Sequence, residues 1–327
     1  MKGILLSIKN LFVEYTSEKR VIHAINGVSL DVLKGETLGL VGETGAGKTT
    51  VAKSILRILP DRAATIKDGE VLFDNKDLLK LKNEDMQKIR GNRISMVFQD
   101  PMTALNPIKT IGAQVSSVIA LHKKVKKEEA WRLATDLLAL VGITEDRVYE
   151  YPHQFSGGMK QRVIIAMALA CDPDLLIADE PTTALDVTIQ AQVLDMIRDL
   201  KRVKNTSMIL ITHDLGIVAE NCDNVAVIYA GEIVEYGSKT DIFDRPSHPY
   251  TIGLFGAIPD LEIDTEWLAP IGGLPPDPAN LPSGCAFHPR CQYVTDDCVK
   301  DIVDMVNIEG IHTCRCLNID SVTARGK

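Results

Sequence analysis

The sequence predicts an α/β fold with a parallel sheet, and two observations favour this class. The first is the order of the apolar segments, in which strand-like and helix-like runs alternate along the chain. Because strand–helix–strand order joins parallel strands through right-handed crossovers, the alternation favours a parallel sheet with helices against it. The second is a glycine-rich turn at residues 42–47, which connects a run that is apolar on both faces to a helical segment. The predicted strands cover residues 5–13, 24–32, 36–41, 69–73, 94–98, 175–178 and 208–212, and the predicted helices cover 48–59, 130–141 and 188–202.

Composition excludes several classes of protein. The chain has 327 residues and a formal net charge of −8, so it is long enough for about two domains and carries no chain-wide basic footprint for nucleic acid. Aromatic residues make up only 5%, which disfavours a base-stacking platform. No apolar run approaches the ~20 residues that span a bilayer. The apolar run at the N-terminus is also too short for a signal peptide. We therefore expect a cytoplasmic protein; if it acts at a membrane, other chains must supply the spans.

Three regions depart from the alternating pattern. Residues from about 101 to 158 lack a clear strand and are predicted to form a helical subdomain. Residues 225–233, interrupted by Gly231, are typical of a β-hairpin. Beyond Arg245, Pro, Gly and Cys punctuate the chain, which favours a small loop-rich extension. The predicted organisation is thus a main domain over 1–245 and an extension over 246–327.

The turn after the third predicted strand matches the pattern G-x-x-x-x-G-K-[ST] in full. Its successive backbone N–H groups form a nest for anions, and the helix N-terminus that follows adds partial positive charge. Lys48 is expected to reach the β- and γ-phosphates of a nucleotide, and the Thr49 hydroxyl to ligate Mg²⁺. The predicted phosphate-binding residues are Gly42, Glu43, Thr44, Gly45, Ala46, Gly47, Lys48, Thr49 and Thr50.

A second apolar run, residues 175–178, ends in two carboxylates, Asp179 and Glu180. In phosphate-loop enzymes the first acid helps to hold Mg²⁺, and the second would polarise the attacking water. Adjacent strand residues point in different directions, so one carboxylate can serve the metal and the other the water.

The segment Ser156-Gly157-Gly158-Met159-Lys160-Gln161 precedes an apolar helix. Ser156 is a favourable N-cap, and the two glycines expose backbone N–H groups at a helix N-terminus. Such a terminus could bind a γ-phosphate, and its position shortly before the acidic strand end strengthens that interpretation.

Together these motifs resemble those of the ATP-binding cassette (ABC) ATPases over about residues 4–245. The resemblance identifies Gln99 as the Q-loop glutamine, another Mg²⁺ ligand, and His213 as the switch histidine. It also identifies 183–186 as the D-loop, with Asp186 near nucleotide, and Tyr15 as the aromatic that stacks on adenine. The signature differs from the common L-S-G-G-Q at Phe155 and Met159. The family implies a RecA-like phosphate-loop NTPase core with an antiparallel β part, and a head-to-tail pair of cassettes that hold two ATP molecules between them.

The remaining motifs resemble the ATPases of oligopeptide and dipeptide ABC importers. These motifs are Ser247-His248-Pro249-Tyr250-Thr251, the stretch from Gly284 to Cys291, and Met102-Thr103-Ala104-Leu105-Asn106-Pro107. The resemblance implies an ATPase at the cytoplasmic face of the membrane that powers peptide import. Its expected partners are a second ATPase subunit, two transmembrane permease subunits and an extracytoplasmic peptide-binding protein. Nickel, oligosaccharide or another small solute is the alternative cargo. A soluble ABC ATPase acting on ribosomes or DNA would be expected to carry two cassettes or a long coiled-coil insertion.

Five of the seven cysteines lie in the extension, at Cys285, Cys291, Cys298, Cys314 and Cys316. Disulfides are disfavoured in a reducing cytosol, and zinc usually prefers closer Cys pairs. Free thiols and zinc remain alternatives, while resemblance to the importer ATPases favours a 4Fe-4S cluster held by Cys285, Cys291, Cys298 and Cys316, with Cys314 as the rival fourth ligand. The role of this cluster would be structural.

The other two cysteines, Cys171 and Cys222, are expected to be buried small hydrophobes. His248 is expected to pack the start of the extension rather than to bind metal.

Overall fold

The computed structural model describes residues 3–17, 20–100, 104–182, 186–256 and 271–323. The chain forms two compact units. The first contains the N-terminus up to residue 5 together with 32–37 and 80–211, and the second contains 6–31, 38–79 and 212–327.

The strands of the described ranges, in chain order, are β1 (Ile4–Ser17), β2 (Arg20–Leu33), β3 (Thr37–Val41), β4 (Ala64–Phe73), β5 (Lys76–Asp77), β6 (Ile94–Val97), β7 (Leu175–Asp179), β8 (Ser207–Ile211), β9 (Asn224–Tyr229), β10 (Glu232–Ser238), β11 (Val306–Glu309) and β12 (His312–Cys314). The α-helices of those ranges are α1 (Lys48–Leu56), α2 (Asn83–Ile89), α3 (Ile111–Lys123), α4 (Lys127–Leu140), α5 (Gly157–Leu169), α6 (Val187–Lys204), α7 (Leu215–Asn221), α8 (Lys239–Asp244), α9 (Pro249–Gly256), α10 (Asp296–Lys300) and α11 (Ile319–Thr323).

The first unit contains a parallel sheet in the order β6-β7-β8. Every residue of β7 and β8 is buried, as expected for parallel strands with both faces covered. Helix α6 connects β7 to β8, so the predicted strand–helix–strand crossover is confirmed. The carboxyl end of β7, where the two predicted acids lie, therefore opens at one edge of this sheet.

Helices and turns make up the described part of the predicted helical subdomain. Helices α3 and α4 pack against each other, and α3 also packs against α5. The Thr110 side chain caps α3 by accepting a hydrogen bond from the Ala113 N–H. A Cβ on Gly112 would lie 2.2 Å from a methyl carbon of Val148, which shows how closely these segments approach. None of the named strands lies within residues 104–158.

The second unit contains two groups of paired strands. One is an antiparallel sheet in the order β2-β1-β4-β5. In the other, β3 pairs in parallel with β9, and β9 pairs antiparallel with β10. The predicted hairpin is confirmed, and its turn places Ala230 and Gly231 at positive φ, which matches the twist of tight hairpins.

The extension adds two strands that the sequence did not predict. Strand β12 pairs with β10, and β11 pairs with β12. All four residues of β11 are exposed, so its sequence carries no burial pattern that would reveal a strand. Through β12 the extension is hydrogen-bonded to β10, whose other neighbour, β9, pairs with the strand before the phosphate loop.

One helix prediction needs adjustment, and one helix was not predicted. Helix α1 ends at Leu56 rather than near residue 59, because Arg57 adopts a left-handed conformation with φ of 51°. Helix α9 follows directly on the Ser247-His248 pair, in a stretch without a clear sequence signal. Among the described helices, none has the length and apolar character needed to cross a bilayer.

Candidate functional site

The predicted phosphate loop connects β3 to α1 in the second unit. The Lys48 side chain is nearly buried, and its Nζ donates to the backbone oxygens of Gly42 at 2.6 Å and Glu43 at 2.9 Å. The ammonium group is therefore held against the loop backbone. This geometry puts a fixed positive charge beside the N–H groups that would receive a phosphate.

Close backbone approaches explain two of the glycines. A Cβ on Gly42 would lie 2.2 Å from the carbonyl oxygen of Ile228. Gly47 has φ of 108°, and a Cβ there would lie 2.8 Å from the carbonyl oxygen of Ala24. Any larger residue at either position would displace backbone, so both glycines are required for the loop to take this shape.

Tyr15, the predicted adenine-stacking residue, lies beside the first turn of α1. Its hydroxyl is 3.4 Å from the hydroxyl of Thr50, which is a hydrogen-bonding distance. The fold thus brings together two predicted nucleotide-binding residues that are 35 positions apart.

The acidic strand end belongs to the first unit. Asp179 is only 2% exposed at the end of β7, whereas Glu180 is half-buried. The Gln99 side-chain amide donates to Oε2 of Glu180 at 2.8 Å, so the fold brings together two of the three predicted catalytic residues. Glu180 has φ of 48°, a left-handed conformation that is strained for a residue with a side chain and is often retained at functional sites.

The predicted signature forms the N-terminus of α5 in the first unit. Ser156 caps the helix by accepting from the Met159 N–H at 3.4 Å. A Cβ on Gly157 would meet no atom within 4 Å, whereas one on Gly158 would lie 2.8 Å from a methyl carbon of Ile189. Gly157 therefore faces open space, and Gly158 allows α5 to approach α6 closely.

Other predicted residues stand at the starts of helices or outside the described ranges. Asp186 caps α6, because its carboxylate accepts from the Ile189 N–H at 3.0 Å. The D-loop residues 183–185 and the residues Met102 and Thr103 lie outside the described residues. His213, the predicted switch histidine, is exposed after β8 and belongs to the second unit.

Three cysteines of the extension share one local geometry. The sulfur of Cys291 accepts from the Tyr293 N–H at 3.3 Å, and that of Cys316 accepts from the Asn318 N–H at 3.4 Å. Phe287 stands in the same position relative to Cys285, and its backbone N–H lowers the pKa of that thiol. In each case the donor is two residues after the cysteine. Hydrogen bonds to sulfur of this kind stabilise thiolates and tune iron–sulfur centres.

Two further contacts join Cys298 to this group. Its sulfur accepts from the side-chain amide of Asn318 at 3.4 Å, and its backbone oxygen accepts from the Cys285 N–H at 2.9 Å. Burial first, and then the charges of neighbouring cysteines, raise the pKa of Cys285 and that of Cys316 to about 11 each.

Cys314 differs from these four. It is fully buried on β12, opposite Glu235 of β10. Burial, followed by the nearby Glu235 carboxylate, raises its pKa far above the ordinary value. Cys314 is thus the most buried of the five cysteines.

Within the described residues, no group of three or more His, Cys, Asp or Glu side chains is arranged to hold a single metal ion. Cys171 and Cys222 are buried, as predicted, and burial raises the pKa of Cys171. His248 is 1% exposed, and its Nδ1 accepts from the Tyr250 N–H at 3.0 Å. Burial lowers the pKa of His248 to about 3, which agrees with the predicted packing role.

The sequence did not reveal the contact between the extension and the phosphate loop. Arg290 makes a two-pronged ion pair with Glu43, with nitrogen–oxygen distances of 2.8 and 3.0 Å. The Tyr250 hydroxyl accepts from the Glu43 N–H at 2.8 Å. The only signal available beforehand was the position of Arg290 directly before Cys291.

These motifs also occur in known protein families. Residues 25–183 match the ABC transporter family, and residues 234–298 match the family described as "Oligopeptide/dipeptide transporter, C-terminal region". The chain is 52% identical over 313 residues to the dipeptide transport ATP-binding protein DppD of Bacillus subtilis, covering 95% of this chain and 93% of the relative. It is 46% identical to the oligopeptide transport ATP-binding protein OppD of Escherichia coli, covering 90% and 87% of the two chains.

The chain belongs to the ABC transporter ATPases of the oligopeptide/dipeptide group. Among solved structures, this ABC ATPase resembles the dimeric post-hydrolysis state of the ATP-binding cassette MJ0796 bound to ADP and Pi. The TM-score is 0.65 at 27% identity, over 72% of this chain and 98% of that one. The predicted fold class, a phosphate-loop NTPase, is therefore confirmed, and the ABC ATPase is an ATP-hydrolysing transporter subunit.

Proposed function

We propose that this chain is the ATP-hydrolysing subunit of an importer for dipeptides or oligopeptides. The observation that carries the proposal is that one chain joins an ABC cassette to the C-terminal region of oligopeptide and dipeptide transporters. Relatives named as dipeptide or oligopeptide transport ATP-binding proteins match this chain over nearly its whole length.

The partners proposed from the family are a second ATPase subunit, two transmembrane permease subunits and an extracytoplasmic peptide-binding protein. The chain would then act at the cytoplasmic face of the membrane. Two cassettes would close around ATP because the closed pair binds ATP better than the open one, and hydrolysis would reopen them.

In the nucleotide site, the backbone amides of residues 42–50 and the Lys48 ammonium would bind the phosphates. Tyr15 would stack on the adenine. From the family we propose Thr49, Gln99 and Asp179 as the Mg²⁺ ligands, since hydroxyl, amide and carboxylate oxygens are donors that Mg²⁺ prefers. Bound Mg²⁺ would neutralise charge on the phosphates.

For hydrolysis, Glu180 would accept the proton of the attacking water, and Gln99 would hold its carboxylate. His213 would contact the γ-phosphate from its exposed position after β8. The cap formed by Ser156, Gly157 and Gly158, with Asp186, would serve the ATP bound by the second ATPase subunit.

In the extension, we propose a 4Fe-4S cluster ligated by Cys285, Cys291, Cys298 and Cys316. The donor set supports this proposal, because the sulfurs of Cys291 and Cys316 each accept a backbone N–H from two residues downstream and that of Cys298 accepts a side-chain amide. The cluster would crosslink a segment with few core residues.

Reconstitution tests the transport function. The chain would be co-expressed with the two permease subunits and the second ATPase subunit, and placed in vesicles with the peptide-binding protein. We expect ATP-dependent accumulation of labelled dipeptides or oligopeptides. Accumulation of nickel or an oligosaccharide in place of peptides would contradict the proposed cargo.

A further inference from the structure

The side chain of Arg290 is fully engaged at the phosphate loop. It is 4% exposed, and each of its five N–H groups has an acceptor. Nε donates to Gly272 O, and the two terminal nitrogens share Glu43, the Tyr229 hydroxyl and the Ile271 backbone oxygen. A guanidinium held in this way has a single position.

Aromatic residues fix that position further. The Arg290 guanidinium carbon lies 5.8 Å from the ring centre of Tyr229 and 5.9 Å from that of Phe287. The hydrogen bonds with Glu43, as the largest cause, raise the pKa of Arg290 above its ordinary value. The ion pair is thus bidentate, partly shielded from water and built from a rigid cation.

The partner, Glu43, is the second residue of the phosphate loop. Its N–H is already bonded to Tyr250, so the extension holds both the backbone and the side chain of this residue. A cavity of about 160 Å³ lies between loop residues 43–46 and the proline segment Pro275, Pro276 and Pro278. The extension therefore lines one side of the loop at several points.

The ion pair between Arg290 and Glu43 affects nucleotide binding through the charge of the Glu43 carboxylate. A free carboxylate at Glu43 would stand in the loop that receives the anionic triphosphate and would repel it. Arg290 cancels this charge and fixes the carboxylate in one direction. Arg290 is also the residue before Cys291, and its N–H is bonded to Phe287 O within the turn that carries Cys285 and Cys291.

We propose that Arg290 is a positioning residue of the nucleotide site, and that through it ATP affinity depends on the order of the cysteine centre. This inference rests on the proposed function for both the loop and the cluster. When the cluster is lost, the turn from Cys285 to Cys291 loosens, Arg290 releases Glu43, and the bare carboxylate weakens ATP binding.

A double-mutant cycle on the full chain tests the first step. ATP affinity is measured by calorimetric titration for the wild type, Arg290→Gln, Glu43→Gln and the double variant. We expect Arg290→Gln to weaken ATP binding about tenfold when Glu43 is present and less than about threefold in the Glu43→Gln background. The loss should be smaller for AMP than for ATP, because AMP carries less negative charge.

A purely structural role for Arg290 predicts a different pattern. In that case Arg290→Gln would weaken binding equally in both backgrounds, and equally for AMP and ATP, which would overturn the proposal. Arg245→Gln is the matched control, since Arg245 also pairs with acids in this unit but at Asp241 and Glu309. It should leave ATP affinity unchanged.

Cluster removal tests the second step. Anaerobically purified chain is assayed for iron and visible absorption, then titrated with ATP before and after chelation of its iron, in wild-type and Glu43→Gln backgrounds. We expect chelation to weaken ATP binding in the wild type and much less in Glu43→Gln. If a chain that was purified with iron keeps the same ATP affinity after chelation, the proposed dependence is overturned, whereas the proposal of a cluster is not affected. If the purified chain contains no iron, both the cluster and the dependence of ATP affinity on it are overturned. The iron assay by itself detects this outcome.

Discussion

The side-chain nitrogen of Gln99 lies 2.8 Å from a carboxylate oxygen of Glu180, and the two residues are separated by 81 positions. Gln99 follows β6, and Glu180 follows β7, the neighbouring strand of the same parallel sheet. Carboxyl ends of adjacent parallel strands meet at one edge, which is where α/β proteins commonly place ligands. The glutamine amide holds the acid that we propose as general base, so a change at Gln99 would alter the direction of that carboxylate.

Replacing the proposed base should separate hydrolysis from binding. Glu180→Gln is expected to slow ATP hydrolysis by about 10²–10⁴-fold, because the amide cannot accept the water's proton, while ATP still binds. Phosphate release by the reconstituted complex and ATP titration measure the two effects. Glu145→Gln, at an exposed glutamate of the same unit, is the control. Unaltered turnover in Glu180→Gln would remove this residue from the role of base.

Removing the loop lysine should act on binding itself. Lys48→Ala deletes the cation that is held against Gly42 and Glu43, so we expect ATP affinity to fall at least about tenfold. Titration of the purified chain with ATP provides the measurement. Lys88→Ala, at an exposed lysine of α2, should bind like the wild type. Wild-type affinity in Lys48→Ala would contradict the assignment of the loop.

The two cysteines near the C-terminus should differ in their effect on iron content. Cys316→Ala removes a sulfur that accepts an N–H bond and is expected to abolish iron binding and visible absorption in anaerobic preparations. Cys314→Ala removes a buried thiol opposite Glu235 and should keep the iron. Retention of iron in Cys316→Ala with loss in Cys314→Ala would reverse the assignment of the fourth ligand.

Acid should destabilise the second unit through His248. Burial holds this side chain neutral in the fold, with a pKa of about 3, whereas the unfolded chain takes up a proton near pH 6.5. The unfolded state therefore binds more protons below pH 6.5, and stability falls as pH drops, by up to about 1.4 kcal/mol per pH unit from this residue. Thermal unfolding between pH 7.5 and 5 measures the slope.

The matched variant for that experiment is His248→Asn, whose side-chain oxygen can still accept from the Tyr250 N–H. It is expected to be less stable at pH 7.5 but to lose stability less steeply on acidification. His153→Asn, at an exposed histidine, should keep the wild-type slope. Equal slopes in the wild type and His248→Asn would show that another group governs the acid response.

Short-range patterns explain what could be predicted from the sequence. The phosphate loop spans eight consecutive residues between two strongly patterned elements, so its motif can be recognised from the local sequence alone. The buried β7 and β8 carry continuous apolar runs that few other structures would accommodate. By contrast, Arg290 and Glu43 are 247 positions apart, and neither residue type indicates its partner.

The extension shows the same limit in another form. Strands β11 and β12 are short, and the exposed β11 carries no alternation of apolar and polar residues. The backbone N–H groups that face the cysteine sulfurs depend on loop conformation, which cysteine spacing does not specify. Resemblance to the importer ATPases indicated the candidate ligands, and the burial of Cys314 on β12 was not apparent from the sequence.

The pairing of β10 with β12 bears on how this chain can be divided for study. Glu235 is fully buried, and it accepts from the Ser247 and His248 N–H groups and lies 2.8 Å from Nε2 of His312. Cutting the polypeptide after residue 245 would remove all of these partners. The Glu235 carboxylate would then be buried without hydrogen-bond partners, and the unpaired edge of β10 would be exposed to other molecules. A protein shortened to residues 1–245 would thus be prone to aggregate. The roles of the cassette and of the extension are therefore better separated by point substitution than by deletion.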